Sequence, residues 1–79
     1  MKYINLNNAI AEEYEVPLDV ILPENDIRIT LDLDSMRAMN LIVIVKRCTG
    51  ILITPRIFPR FTTFQSLYDY IDEQRAKSI

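Results

Sequence analysis

A chain of 79 residues, 49% apolar and 25% charged with a formal net charge of -2, makes one small domain with a thin core, because a chain this short buries only about 60% of the surface its unfolded form exposes. It has no histidine and one cysteine, Cys48, which excludes an intrachain disulfide, a Ser-His-Asp or Cys-His catalytic set and a Cys/His zinc site. Its longest uninterrupted apolar run, residues 41–45, is far too short to cross a bilayer.

The composition is that of an ordinary folded domain, and a single glycine argues against a β-rich fold with many tight turns. The first residues break their apolar members with asparagines and lack the apolar core of a signal peptide, so a cytoplasmic location is expected.

In chain order, Tyr3, Leu6, Ile10 and Tyr14, with Ala9 beside them, form an apolar stripe at helical spacing. Glu12, Glu13 and Glu15 are its solvated end, and Pro17 blocks continuation. Residues 16–34 form a long connection broken by Pro17, Pro23 and Asn25, too apolar for a free linker. Ile27, Ile29, Leu31 and Leu33 alternate with polar residues as a strand would, but no partner strand shows matching alternation. The expectation is an extended loop packed against the domain.

A second helix is expected from Asp34 or Ser35, either of which makes a good N-cap. It runs through Met36, Met39 and residues 41–45 to Cys48 and stops at Gly50, with Lys46 and Arg47 in the last turn where positive charge suits the dipole. Residues 41–45 cover every face of that helix, so one or two of them should be exposed. Met36 and Met39 are expected to pack inward rather than to form a dedicated surface for an apolar ligand, although methionine suits a pocket that must adapt to varied shapes. Residues 56–61 read as a turn or distorted short helix, because Pro59 disfavours helical geometry at Phe58. The last helix opens on a capping-box pattern, Thr62 with Gln65. It continues through Phe64, Leu67, Tyr68 and Ile71 and is expected to fray beyond Gln74. The fold class is all-α: a small bundle of three main helices plus one short or distorted third element, with a long first loop.

Charge is segregated along the chain. Residues 1–35 carry -6, residues 36–60 carry +5 with no acidic member, and residues 61–79 carry -1. Such a pattern speaks to partners. Five basic residues on an acidic domain are a poor footprint for nucleic acid, and the tyrosines show no spacing for base stacking. Asp32 and Asp34 are paired carboxylates, but the domain is small for a substrate pocket and offers no third metal ligand, so an enzyme is not expected. Cys48 reads as a small, partly buried hydrophobe.

Asp-Leu-Asp-Ser at residues 32–35, the spacing from Ser35 to Pro55, and Thr-Thr-Phe at 62–64 leading into Tyr-Asp-Tyr-Ile at 68–71 together resemble the acyl carrier protein family over essentially the whole chain. Glu15-Val16 and Pro23-Glu24 also sit where that family places similar residues. The resemblance implies an acyl-carrier-like bundle in which Ser35 bears a covalent 4'-phosphopantetheine arm, attached by a phosphopantetheinyl transferase from coenzyme A and loaded with acyl groups as thioesters. Asp34 matches the position that helps the transferase hold its metal ion. Where the family usually has glycine two residues before that aspartate, this chain has Asp32, which adds negative charge and removes backbone freedom. Pro59 falls inside the usual third helix. Fatty-acid carriers usually present acidic second and third helices, whereas here the matching surface holds Met36, Arg37, Asn40, Lys46, Arg47, Arg56 and Arg60. The expectation is a specialised carrier in lipid or secondary metabolism, docking on loading and processing enzymes with acidic or neutral surfaces. The alternatives are an unmodified carrier-like interaction module and a peptidyl or D-alanyl carrier.

Overall fold

The computed structural model describes residues 2–77. Four α-helices follow one another: α1 (Ile4–Tyr14), α2 (Ile27–Leu31), α3 (Ser35–Thr49) and α4 (Phe64–Lys77), with single 3-10 turns at Leu18–Val20 and Phe58–Arg60. The described residues form no β-strand; Asp26 and Thr63 make one isolated antiparallel bridge. The predicted all-α bundle with three long helices is therefore what forms, with Phe58–Arg60 as the short third element at Pro59.

The stripe of α1 packs on α3, and Leu6, Ile10 and Tyr14 join Leu41, Ile44 and Val45 of α3 and Phe64, Leu67 and Ile71 of α4 in one core. Ile10, Leu31, Leu41, Val45, Ile53, Phe64, Leu67 and Ile71 are fully buried, each a burial that stabilises by about 1.5–3 kcal/mol over leaving the side chain in water. The one buried polar side chain among the described residues, Asn7, accepts a hydrogen bond at 2.6 Å from the Tyr68 hydroxyl. That bond joins α1 to α4 without leaving a polar atom unpaired. Tyr3 stacks on Tyr68, with ring centroids 4.6 Å apart, and donates its hydroxyl to Asp72.

The first connection departs from the extended expectation. Ile27 to Leu31 is a helix, and the alternation of Ile27, Ile29, Leu31 and Leu33 is not a strand's. The Asp26 carboxylate accepts from the Ile29 amide at 2.9 Å and so caps the N-terminus of α2. At its other end Asp32 takes the left-handed conformation (φ 52°, ψ 55°), and the amides of Asp32 and Leu33 return to the carbonyls of Ile29 and Arg28. That is a Schellman cap built without glycine. Helical spacing puts Ile27 and Leu31 together in the core and leaves Ile29 82% exposed. The loop is packed, as expected, because it serves the start of α4. The carbonyls of Pro23 and Asn25 accept the amides of Gln65 and Phe64, which α4 itself cannot satisfy, and the Ile27 amide donates to the Thr62 carbonyl.

Two smaller corrections concern α4. The capping hydroxyl is that of Thr63, which accepts from the Ser66 amide at 3.2 Å, while Gln65 donates to Asp69 instead of closing a box with Thr62. The helix also holds to Lys77, past Gln74, with Lys77 and Glu73 paired one turn apart.

Candidate functional site

The corner between α2 and α3 is where local sequence and tertiary packing converge. Asp34 is the N-cap of α3, its backbone extended (φ -110°, ψ -171°) and its carboxylate accepting the Arg37 amide at 2.8 Å. Of the two candidate caps, Asp34 takes the role, and Ser35 occupies the first helical position, exposed. Its hydroxyl takes no part in the hydrogen bonds that fix the corner.

Those bonds run largely through Arg37. Its Nη2 and Nε donate to the Leu31 carbonyl at 3.0 and 3.3 Å, its carbonyl accepts from the Tyr14 hydroxyl, and its guanidinium lies 5.0 Å from the centre of the Tyr14 ring. The guanidinium thus satisfies an orphan carbonyl at the end of α2 and rests on an aromatic face. Burial pushes the Tyr14 hydroxyl up to about 12, against the opposing pull of Arg37. Arg37 is half-buried and tied inward, unlike the free surface residue expected of a docking position.

Two clefts meet at Ser35. One, of about 260 Å³, is lined by Ser35, Ala38, Met39, Ile42, Pro55, Phe58 and Pro59, and is largely apolar. The other, of about 330 Å³, is lined by Arg28, Leu33, Asp34, Ser35, Ala38 and Phe58. Ser35, Ala38 and Phe58 belong to both, so the hydroxyl stands at their junction.

Met36, Met39 and Val43 run away from Ser35 on the outer face of α3, at 75%, 49% and 54% exposure. The two methionines therefore face solvent, contrary to the expectation that they pack inward. Their positions share one side of the helical wheel with Ser35, opposite Leu41, Ile44 and Val45. Val43 is the exposed member expected within residues 41–45. Asn40, Lys46 and Arg47 are exposed on the same side, and Arg56 and Arg60 are exposed in the segment after α3.

Lys46 and Arg47 lie roughly 17–18 Å along the axis from Ser35, at 1.5 Å per residue. Lys46 also donates to the Gly50 carbonyl at 3.2 Å, and Arg47 shares a cleft with Glu12 and Glu13 of α1 and with Glu15, which caps that helix. Cys48 lines that same cleft and is exposed, not partly buried as expected. Of the sequence-predicted residues, then, the fold brings Ser35, Asp34, Met36 and Arg37 to one corner and sets Lys46 and Arg47 at the far end of α3.

Arg28 was not foreseen there. With residues 27–31 read as extended, nothing brought Arg28 towards Ser35; the cap pattern of Asp26 ahead of Ile27 and Leu31 at i, i+4 was the signal that could have done so.

No group of three or more metal-ligating side chains is present among the described residues, and no helix among them is long and apolar enough to cross a membrane. A search of curated proteins returns no match. The family model described as a phosphopantetheine attachment site matches residues 6–71. Domains of that family are sites of covalent 4'-phosphopantetheine attachment, and an exposed hydroxyl at the junction of two clefts has the room such an arm needs. With the match running from Leu6 in α1 through α2 and α3 to Ile71 in α4, the chain belongs to the phosphopantetheine-bearing carrier domains, the family of acyl-carrier-like proteins.

Proposed function

We propose that the protein is an acyl carrier modified at Ser35 and working in a specialised lipid or secondary-metabolite pathway. The observation that carries this reading is the exposed Ser35 hydroxyl on the first turn of α3, in the corner held by Asp34 and Arg37 and open to two clefts. In the modification, Ser35 Oγ bonds to the phosphorus that carries the pantetheine of coenzyme A, the pyrophosphate P–O bond breaks, adenosine 3',5'-bisphosphate leaves, and the hydroxyl proton passes to a base of the transferase or to water. When attached, the arm supplies a terminal thiol that holds acyl groups as thioesters. The chain itself performs no bond chemistry.

Asp34 has two parts in this reading. It fixes the first turn of α3, and its carboxylate assists the transferase's metal ion. The apolar cleft between Ala38, Ile42, Pro55 and Phe58 is the natural shelter for an acyl chain, with Met39 at its edge, since a thioether adapts to varied shapes. Met36 and Asn40, with Lys46 and Arg47 farther along α3 and Arg56 and Arg60 in the segment after it, make a docking face suited to enzymes with acidic or neutral rims. Arg37 serves that face through the corner it holds. A cytoplasmic setting, where coenzyme A is at hand, belongs to the same reading. The pathway assignment fails if ordinary fatty-acid synthase enzymes load and elongate this protein at the rates of their own carriers.

A second reading, an unmodified carrier-like interaction module, is favoured by the exposed Met36, Met39 and Val43 stripe, which suits a partner surface with or without an arm. Co-expression with a broad-specificity phosphopantetheinyl transferase, then intact-mass measurement beside Ser35→Ala, separates the two. A gain of one phosphopantetheinyl group in the parent and none in the variant is expected. No gain with that transferase or with one encoded near the protein's own gene leaves the interaction module.

A further inference from the structure

We infer that Arg28 is the cation that faces the phosphodiester at Ser35, so that the cleft between α2 and α3 is a phosphate-binding cleft. This rests on the reading of Ser35 as the modified residue.

Charge makes the case. A phosphodiester is anionic at every pH the folded protein meets, and it would sit one residue from Asp34 and three from Asp32. Like charges so close raise each other's energy, and the site needs a counterion. The helix terminus is a partial source, because among its first-turn amides that of Arg37 is already taken by the Asp34 carboxylate at 2.8 Å. The Arg37 guanidinium is committed to the Leu31 carbonyl and the Tyr14 ring, and it leaves α3 roughly 160° around the axis from Ser35. Lys46 and Arg47 are at the other end of the helix.

Arg28 remains. It is the one basic residue among those lining the 330 Å³ cleft that contains Ser35 and Asp34. Its Nη2 donates to the Pro59 carbonyl at 3.3 Å, which carries the guanidinium from α2 towards the turn that forms the cleft's Phe58 wall. A single bond to Pro59 leaves most of its five donors for another acceptor. A planar guanidinium matches two phosphate oxygens at once, which an ammonium does not. Asp26 and Asp32, which bound α2, sharpen the need for a cation on this side.

The test follows the arginine side-chain Nε–Hε signals of the ¹⁵N-labelled protein before and after modification, with Arg28→Lys and Arg47→Lys variants to assign the two peaks. Modification is first verified by mass. The expected result is a clear shift of the Arg28 signal on modification, reversed by high salt, with the Arg47 signal unmoved. In parallel, the ³¹P signal of the modified parent should lie away from that of a phosphopantetheinyl-serine peptide, and Arg28→Gln should return it there. An Arg28 signal identical before and after modification overturns the inference, as does a ³¹P signal that salt and Arg28→Gln leave in place. Absence of the arm by mass overturns the Ser35 reading instead, so the two failures are told apart.

Discussion

The two ends of α3 are held by different means. The N-terminal end is fixed by three side chains that tie it to two other helices: Asp34 caps it, Arg37 returns to the end of α2, and Tyr14 reaches it from α1. The C-terminal end is fixed within its own turn, through Gly50 in the left-handed region (φ 78°) with its amide on the Lys46 carbonyl, and through the Lys46 and Thr49 side chains, which donate to the Gly50 and Val45 carbonyls. Surface charge divides the same way, with the apolar Met36, Met39 and Val43 stripe near Ser35 and the Lys46 and Arg47 pair at the far end. A site that must present one hydroxyl in a fixed attitude is built at the end that tertiary contacts define. The other end needs only to stop.

That contrast can be broken at its strongest point by Leu31→Ala. The side chain is fully buried and its carbonyl receives Arg37, so loss of about 2–5 kcal/mol is expected in denaturant titration, against under about 0.5 kcal/mol for Val43→Ala on the exposed face. Equal costs would mean that the corner is not the tighter end.

Next come the caps. Gly50→Ala meets no atom within 4 Å of the new Cβ, so its whole cost is the left-handed backbone, about 1–2 kcal/mol. Asp34→Ala should cost about 1 kcal/mol through the lost cap, and it alone of the two should slow modification. A Gly50→Ala protein modified as slowly as Asp34→Ala would erase the functional difference between the ends.

Tyr14→Phe removes the hydroxyl that binds the Arg37 carbonyl and should cost about 1 kcal/mol. Tyr14 and Tyr3 are both pushed up to about 12, Tyr14 by burial and Tyr3 by burial and the Asp72 carboxylate, and burial also raises Tyr68. The folded protein thus holds these phenolic protons more tightly than the unfolded chain does. Their stabilisation is whole below the unfolded value near 10 and is lost as pH rises towards 12. Thermal stability should fall across that window, tracked by tyrosinate absorbance, and Tyr14→Phe should fall less steeply.

The smallest effect is expected at Asp32. Its left-handed backbone (φ 52°) is the conformation that glycine adopts without strain, and Asp32→Gly should raise stability by a few tenths of a kcal/mol, since Asp already tolerates the region better than most residues. A loss would mean that the Asp32 side chain itself supports the corner.

The sequence spoke clearly wherever one element decided its own structure. The Leu6, Ile10 and Tyr14 stripe, the stop at Gly50 and the broken geometry at Pro59 are local rules, and α1, the end of α3 and the Phe58–Arg60 turn follow them. It misled at Ile27 to Leu31, where period-two alternation over five residues is also satisfied by one and a half helical turns. The deciding contacts, Ile27 amide to Thr62 and Phe64 amide to Asn25, join residues more than 30 apart in the chain. The site was legible as far as Asp34 and Ser35, which a motif names. Arg37 read as surface because nothing in its neighbours reveals that Tyr14 lies beneath it, and Met36 and Met39 read as core because hydrophobicity alone does not tell which side of a helix a partner occupies.

Those two methionines have a chemical consequence. Thioethers exposed to solvent are open to peroxide, and each sulfoxide formed adds a polar, chiral oxygen to a stripe otherwise apolar. Oxidation there would roughen the face beside Ser35 without touching the core, and reductases could restore it. The outer face of α3, like the exposed Cys48 thiol, is thus a place where this protein would age.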